Sequence, residues 1–529
     1  MSQALRFGAI LSALMIGFAG VGYRLISLAI EGENRPRLAV SAPVSESLNR
    51  PAILDRHGNI LAIDILLPSL FADPSRMVDR RDAIDRLRPV LPPADAQRLE
   101  QRLANPNTRF TWISRKVSTA LLERVRELGI PSVDHRWETK RTYPAGTIAG
   151  HVIGAVDIEN RGISGLERHL DSISGQRIAR DEGAGARPPL RASLSIAVQH
   201  ATEEVLAAAV RRYHARAASA VILDSETGEV YASASWPEVD PAFPETWIVD
   251  GPIDHAGGGV FELGSIYKVL TIAMGLERGD VTIETAVDAH IPIELPGVRL
   301  ADRATPNPLS VRDVMLRSSN VGAARIALEA GAEAHFAFLA KLRMAGPIET
   351  ELGLMPKPIY PRPWRSPESV MASFGYGLAV APIQFAAAVA TLVNGGYLVT
   401  PTFVAEGGTP RAARKQVLDP EVSRTMRSLF RDTVRHGTGR LAGVPGYDLG
   451  GKTGTAQILG PNGRRGPEVL SSFVAVLPAD APRLITLVTL HAPQATTGTG
   501  ATANAADTAA PVTAELIARI APQLGVLPQ

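Results

Sequence analysis

The 529-residue chain contains no cysteine, which excludes a disulfide framework, a thiol nucleophile, an iron–sulfur cluster and a cysteinyl zinc site. Its eleven histidines show no His-Glu-x-x-His or similar ligand spacing, so a catalytic metal is not expected. An excess of one charge sign is also lacking. Lys+Arg number 55 against 53 Asp+Glu, a net charge of +2, which removes the electrostatic reason to expect nucleic acid as a partner. Lysine itself is scarce: only positions 116, 140, 268, 341, 357, 415 and 452 carry it, in a chain whose other bases are arginine. Where arginine is the default cation, a retained lysine marks a place for a side chain that can lose its proton.

At roughly 150 residues per domain the length allows two to four domains. Residues 7–30 form the first unit. No charge interrupts Phe7 to Tyr23, and beyond Arg24 the apolar run resumes to Ile30. A helix over this stretch spans a ~30 Å hydrocarbon core with Arg24 snorkelling near one end, so a retained transmembrane anchor is expected. A cleaved signal peptide is the alternative, but its apolar region runs only about 7–15 residues and no small-x-small site follows closely. Arg6 favours a cytoplasmic N-terminus, against Arg35 and Arg37, which Glu31 and Glu33 partly offset. This reading puts a single-pass protein in the cell inner membrane with the remaining chain in the periplasm, a compartment the absence of cysteine permits.

Residues 31–49 read as a polar tether and 50–190 as a first folded domain. The latter has strand-like runs at Ala52 to Leu54 and Gly58 to Ile63 and a helix at Arg81 to Arg88. The stretch Asp181 to Pro189 reads as an exposed linker or hairpin tip, placing a boundary near Leu190. Residues 191–529 are more regular. A helix is expected over Ser195 to Tyr213, then strands at Ala220 to Leu223 and Glu229 to Ser233 around a Ser225 to Gly228 turn. Further strands at Gly450 to Gln457, Ser472 to Leu477 and Leu484 to Leu490 precede a helix at Ala510 to Ile520. Two early and three late strands around helical sequence suggest an α+β fold with one antiparallel five-stranded sheet and an inserted helical subdomain. The Ala/Thr/Gly-rich run Ala495 to Ala506 reads as a mobile loop.

Three polar constellations could carry chemistry. Ser265-Ile266-Tyr267-Lys268 is the chain's one Ser-x-x-Lys, opening a helical run to Arg278. Positions three apart share a helix face, so the Lys268 amine can reach the Ser265 hydroxyl and, if buried, act as its base. A helix cap with a surface lysine is the ordinary alternative. Ser318-Ser319-Asn320 falls between the expected helices Val311 to Leu316 and Val321 to Leu328, where it can present a hydroxyl and a carboxamide or simply cap the second helix. Gly450-Gly451-Lys452-Thr453-Gly454-Thr455 opens a strand, where it can offer a cation and hydroxyls to a carboxylate or be simply a glycine-rich strand entrance with a solvated lysine.

Ser-x-x-Lys, Ser-x-Asn and Lys-Thr-Gly in this order resemble the penicillin-binding transpeptidases. Phe261 to Gly264, Ser373 to Gly377 and Thr455-Ala456-Gln457 agree, and Asp55-Arg56-x-Gly58, Tyr143 to Gly146, His151 to Gly154 and Gly165-Leu166-Glu167 resemble the non-catalytic pedestal of the class B enzymes. Gly437 to Ala442 and the Glu-Leu-Gly before Ser265 are most similar to the division-specific branch; the elongation-specific branch is the alternative. The resemblance implies a β-lactamase-like transpeptidase fold on an elongated pedestal. It also implies a serine acyl-enzyme that cross-links peptidoglycan stem peptides without a cofactor, β-lactams as inhibitors, and a SEDS-type glycosyltransferase with other divisome membrane proteins as partners. By the same resemblance Ser265 is the nucleophile, Lys268 its base, Ser318 a proton relay, and Asn320 a holder of Lys268 and of a substrate amide. Lys452, Thr453 and Thr455 bind the donor carboxylate, with Gly454 between them. The Ser265 and Thr455 N–H groups form the oxyanion hole. Pro51, Leu263 and Ala197 depart from the family's usual Gly, Pro and Asp. A class D type β-lactamase or penicillin sensor and an inactive scaffold are the rival readings.

Overall fold

The computed structural model describes residues 50–179, 188–302, 308–405, 408, 411–460, 463–496 and 503–528. The expected anchor and tether, and residues 181–187 of the expected linker, lie outside the described residues. Among the described residues no helix is long and apolar enough to cross a membrane.

The N-terminal part is built on strands β1 (Ile53–Leu54), β2 (Ile60–Ala72), β3 (Thr111–Ser114), β4 (Val133–Thr142) and β5 (Leu190–Arg191). Strand β2 takes β1, β3 and β4 as antiparallel neighbours, and β5 joins parallel to β1. Helices α1 (Arg80–Leu87), α2 (Pro93–Leu103) and α3 (Thr119–Glu127) bury Leu87, Leu99, Leu103, Leu121 and Val125 with Leu70 and Ile113 in a small core of their own. Helix α4 (Gly165–Ala179) follows. The expected strand over Gly58 to Ile63 starts later and runs on to Ala72. It does so because ten residues of β4, too polar for an apolar pattern to mark, pair with it from Ile63 to Ala72.

Two residues of the Asp55 turn tie this part to the next. Buried Asp55 accepts the N–H groups of His57 and Asn59 at 2.8 Å and, through its other oxygen, the N–H of Ile196 at 3.1 Å. Ile196 opens α5 (Ile196–Tyr213), so a carboxylate distant in sequence caps this helix although position 197 is alanine and Ser195 makes no side-chain cap. Arg56 donates to Ser193 O at 3.1 Å, pairs with Glu229 at 3.3 Å and lies 4.3 Å over the Tyr231 ring.

Beyond α5 come β6 (Ala217–Asp224), β7 (Val230–Trp236), α6 (Lys268–Arg278), α7 (Val311–Arg317), α8 (Asn320–Ala330), α9 (Pro382–Val393) and α10 (Pro420–His436). Strands β8 (Gly450–Leu459), β9 (Arg465–Leu477) and β10 (Leu484–His491) and helix α11 (Ala509–Ile520) close the chain. The sheet order is β8-β9-β10-β6-β7, antiparallel throughout, in keeping with the expectation from two early and three late strands. Alternate side chains divide between two cores. Ala220, Ile222, Phe473 and Val488 join α5 and α11 on one face, and Val221, Leu223, Val474 and Leu487 join α6 and α9 on the other. Helices on both faces explain why β6 reads as an unbroken buried run rather than an alternating one.

The run expected to be a mobile loop needs correction at its described end. Asn504 Oδ1 accepts the Ala506 N–H at 2.9 Å, and the Ala505 N–H donates to Thr455 Oγ1 at 3.0 Å. Residues 497–502 lie outside the described residues.

Candidate active site

The Ser-x-x-Lys segment does not begin as an α-helix. Gly264–Tyr267 forms a 3₁₀ turn and α6 starts only at Lys268. In a 3₁₀ turn residues three apart eclipse each other, which brings the Lys268 Nζ to 3.0 Å from Ser265 Oγ. The turn is pressed against β8. Gly264 has φ +62°, and a Cβ there would stand 2.7 Å from the Thr455 carbonyl oxygen, so both its conformation and its neighbour demand glycine. Gly454 faces the same junction; a Cβ on it would collide with the Leu263 carbonyl.

In Ser318-Ser319-Asn320 the two readings fall on different residues. Ser319 is the helix cap, its Oγ accepting the Gly322 N–H at 2.8 Å. Ser318 ends α7 in the left-handed region at φ +62°, which turns it out of both helices and into the cleft. Its carbonyl oxygen lies 2.6 Å, and its Oγ 3.0 Å, from Lys268 Nζ, and Asn320 Oδ1 lies 2.6 Å from the same amine. Lys452 arrives from β8 with its Nζ 3.0 Å from Ser318 Oγ and 3.0 Å from Thr453 O.

Ser265, Lys268, Ser318, Asn320, Lys452 and Thr453 therefore meet in one hydrogen-bonded cluster. Thr455 flanks it through its main chain behind Gly264, while its hydroxyl oxygen accepts from Ala505. All seven lysines are described, and only Lys268 and Lys452 are fully buried. Burial, and then the neighbouring Lys452 charge, push Lys268 well below the ordinary lysine range, against an upward pull from Asp302. Burial brings Lys452 down to about 7. A neutral Lys268 amine has two N–H groups and one lone pair. Ser318 O and Asn320 Oδ1 can only accept, so they take the two N–H groups, leaving the lone pair for the hydroxyls of Ser265 and Ser318.

Sequence reasoning missed several neighbours. Asp302 accepts the N–H groups of Asn320 and Val321 at 3.0 and 3.2 Å and the Ser319 hydroxyl. Thr438 and Thr453 place their hydroxyl oxygens 2.8 Å apart. Glu262 accepts from Arg465 Nη2 at 3.0 Å and from the Gly377 N–H at 2.6 Å, and Arg465 lies 4.2 Å over the Tyr376 ring. Thr438, Glu262 and Tyr376 sit in segments that carried the family resemblance; Asp302 stood in no motif. Among the described residues no group of three His, Asp or Glu side chains is placed to hold a metal ion.

Residues 218–517 match the family model of the penicillin-binding protein transpeptidase domain, and residues 46–178 that of the penicillin-binding protein dimerisation domain. A chain named as a probable peptidoglycan D,D-transpeptidase FtsI of Caulobacter vibrioides is 31% identical, over 90% of this chain and 82% of its own. The peptidoglycan D,D-transpeptidase FtsI of Escherichia coli is 30% identical over 85% of this chain and 80% of its own. The fold is shared with a peptidoglycan synthetase from Bifidobacterium adolescentis (TM-score 0.68, 21% identity, 91% of this chain and 96% of that one). It is also shared with penicillin-binding protein 3 of Mycobacterium tuberculosis in complex with aztreonam (TM-score 0.67, 22% identity, 91% and 97%). With a transpeptidase domain matched across more than half its length, a dimerisation domain before it, and relatives of this kind along most of both chains, the protein belongs to the class B penicillin-binding proteins.

Proposed function

We propose that Ser265 is the nucleophile of this enzyme, a peptidoglycan D,D-transpeptidase, and that Lys268 is its base. Ser265 Oγ attacks the carbonyl of the penultimate D-Ala of a donor stem peptide as its proton passes to the Lys268 lone pair. The C–N bond breaks, the proton leaves through Ser318 to the departing amine, and D-Ala is released. The amine of a second stem peptide then displaces Ser265 from the acyl-enzyme and returns its proton. Asn320 holds Lys268 and a substrate amide, Lys452, Thr453 and Thr455 bind the donor carboxylate, and the Ser265 and Thr455 N–H groups receive the oxyanion. A β-lactam acylates Ser265 by the same attack but keeps its amine tethered.

The proposal extends to the whole chain. Residues 7–30 anchor it in the inner membrane with a cytoplasmic N-terminus, 31–49 tether it, 50–190 form the pedestal and 191–529 the periplasmic transpeptidase domain. Its place is the division septum, beside a SEDS-type glycosyltransferase. What favours the septal branch is the resemblance of Gly437 to Ala442 and of the Glu-Leu-Gly before Ser265 to it, together with two relatives named FtsI.

The observation that carries the mechanism is the fully buried Lys268 amine, 3.0 Å from Ser265 Oγ with its two obligate acceptors already placed. Fluorescent penicillin on the full-length chain tests it. Long-lived label that disappears in Ser265→Ala is expected. No label on folded protein means an inactive scaffold, and rapidly lost label means a β-lactamase. Fluorescent fusions then test location, with signal at mid-cell expected and side-wall signal marking the elongation branch.

A further inference from the structure

When Lys268 takes the serine proton, a positive charge appears in a site with little to receive it. The atoms around its Nζ are the hydroxyl oxygens of Ser265 and Ser318, the carbonyl oxygen of Ser318 and the carboxamide oxygen of Asn320, all neutral. Two charged groups reach the amine. Lys452 on β8 opposes the new charge, and Asp302, which precedes α8, favours it. Asp302 is tied to the cluster through the main chain of the very residue that holds the amine. Its Oδ1 accepts the Asn320 N–H at 3.0 Å and the Val321 N–H at 3.2 Å, while its Oδ2 accepts the Ser319 hydroxyl. The turn that aims Ser318 and Asn320 at Lys268 is thus pinned on both sides by one carboxylate.

We infer that Asp302 is a positioning residue for the acylation step, fixing the Ser318–Asn320 turn and supplying the negative charge against which the Lys268 ammonium forms. The inference rests on the reading of Lys268 as the base. A purely structural cap would need only the hydrogen bonds. The charge adds a second effect, because a negative neighbour stabilises the protonated amine. Removing it leaves Lys268 neutral down to lower pH, yet makes the proton transfer from Ser265 harder.

The test is the pH dependence of acylation of the full-length chain by a fluorescent penicillin, in wild type, Asp302→Asn, Asp302→Glu and Ser319→Ala. Asparagine keeps an oxygen for the Asn320 and Val321 N–H groups without the charge. Asp302→Asn is expected to acylate about 10- to 100-fold more slowly, with the acid limb of its profile about one pH unit lower, since one pKa unit is a tenfold change in equilibrium. Ser319→Ala and Asp302→Glu keep the charge and leave the limb in place while losing rate. An acid limb that stays put or rises in Asp302→Asn overturns the inference, as does an equal displacement in Ser319→Ala. If Asp302→Asn does not fold, a lowered limb in Asp302→Glu overturns it and an unmoved limb supports it. Acylation that survives Lys268→Ala in wild-type background overturns the base reading and this inference with it.

Discussion

The hydroxyl oxygen of Thr438 lies 2.8 Å from that of Thr453, joining the loop after α10 to the lysine strand β8. Thr453 has one proton to give. Lys452 Nζ, 3.5 Å away, makes at best a weak donor to it, so Thr438 is the group that can donate into Thr453 and leave its proton facing the cleft. Replacing Thr438 with valine should slow acylation by a carboxylate-bearing penicillin about fivefold, the worth of one net hydrogen bond. Thr438→Ser should acylate at the wild-type rate. A valine variant as fast as wild type would show that Thr453 needs no such partner.

Burial of Lys452 gives a second prediction, in stability. The folded chain holds this amine down at about 7 against an ordinary 10.5. Between those values the unfolded chain binds the proton that the folded chain has lost, so stability rises with pH from about 7 toward 10, and the full penalty is present below 7. Lys452→Met should therefore be more stable than wild type at pH 7 by on the order of 2 kcal/mol, after lost bonds to Ser318 and Thr453 offset part of the gain. The advantage should vanish at about pH 8.5 and reverse by about pH 10, where only the lost bonds remain, and acylation should be lost throughout. Thermal midpoints across this range decide the matter; a difference that stays level with pH contradicts it.

Glu203 supplies the third. It lies on α5, where its Oε1 accepts the Ala149 N–H at 2.9 Å and the Gln199 carboxamide at 2.8 Å. Burial raises it to about 7, against those two hydrogen bonds and with help from Glu238. Here the folded chain binds the extra proton between about 4.5 and 7, so stability falls as pH rises through that window and the loss is complete above it. Glu203→Gln should match wild type near pH 4.5 and exceed it by about 2–3 kcal/mol above pH 7. If the two melting curves keep a constant separation, Glu203 does not titrate in this range.

What the sequence could reveal depended on where a residue's partner lies. Ser265 and Lys268 are three apart, and lysine is the scarce base in a chain otherwise supplied with arginine, so the pair was legible before any fold was known. The strands β6 and β10 were legible because both faces are covered and their residues are mostly apolar. Strand β4 was not, since its stability comes from register with β2 rather than from its own hydrophobicity. Asp302 was equally hidden. It holds Ser319, Asn320 and Val321 across a separation that no helical or strand period encodes. Ser319 and Ser318 show the finer limit: capping preference marks the doublet, but only the left-handed φ of Ser318 decides which serine caps and which turns to the lysines.

The narrow stretch Ile53 to Arg56 also has a mechanical meaning. Ile53 is hydrogen-bonded between β2 on one side and β5 on the other, and the next residues grip α5 and Ser193 directly. Tension applied to the chain ahead of Pro51 would load these bonds in shear, the direction in which strand ladders act together rather than opening one at a time. The load would pass within a few residues into α5 through Asp55 and into β2 through Ile53, and β2 runs on to Leu70 in the core of the α1–α3 lobe.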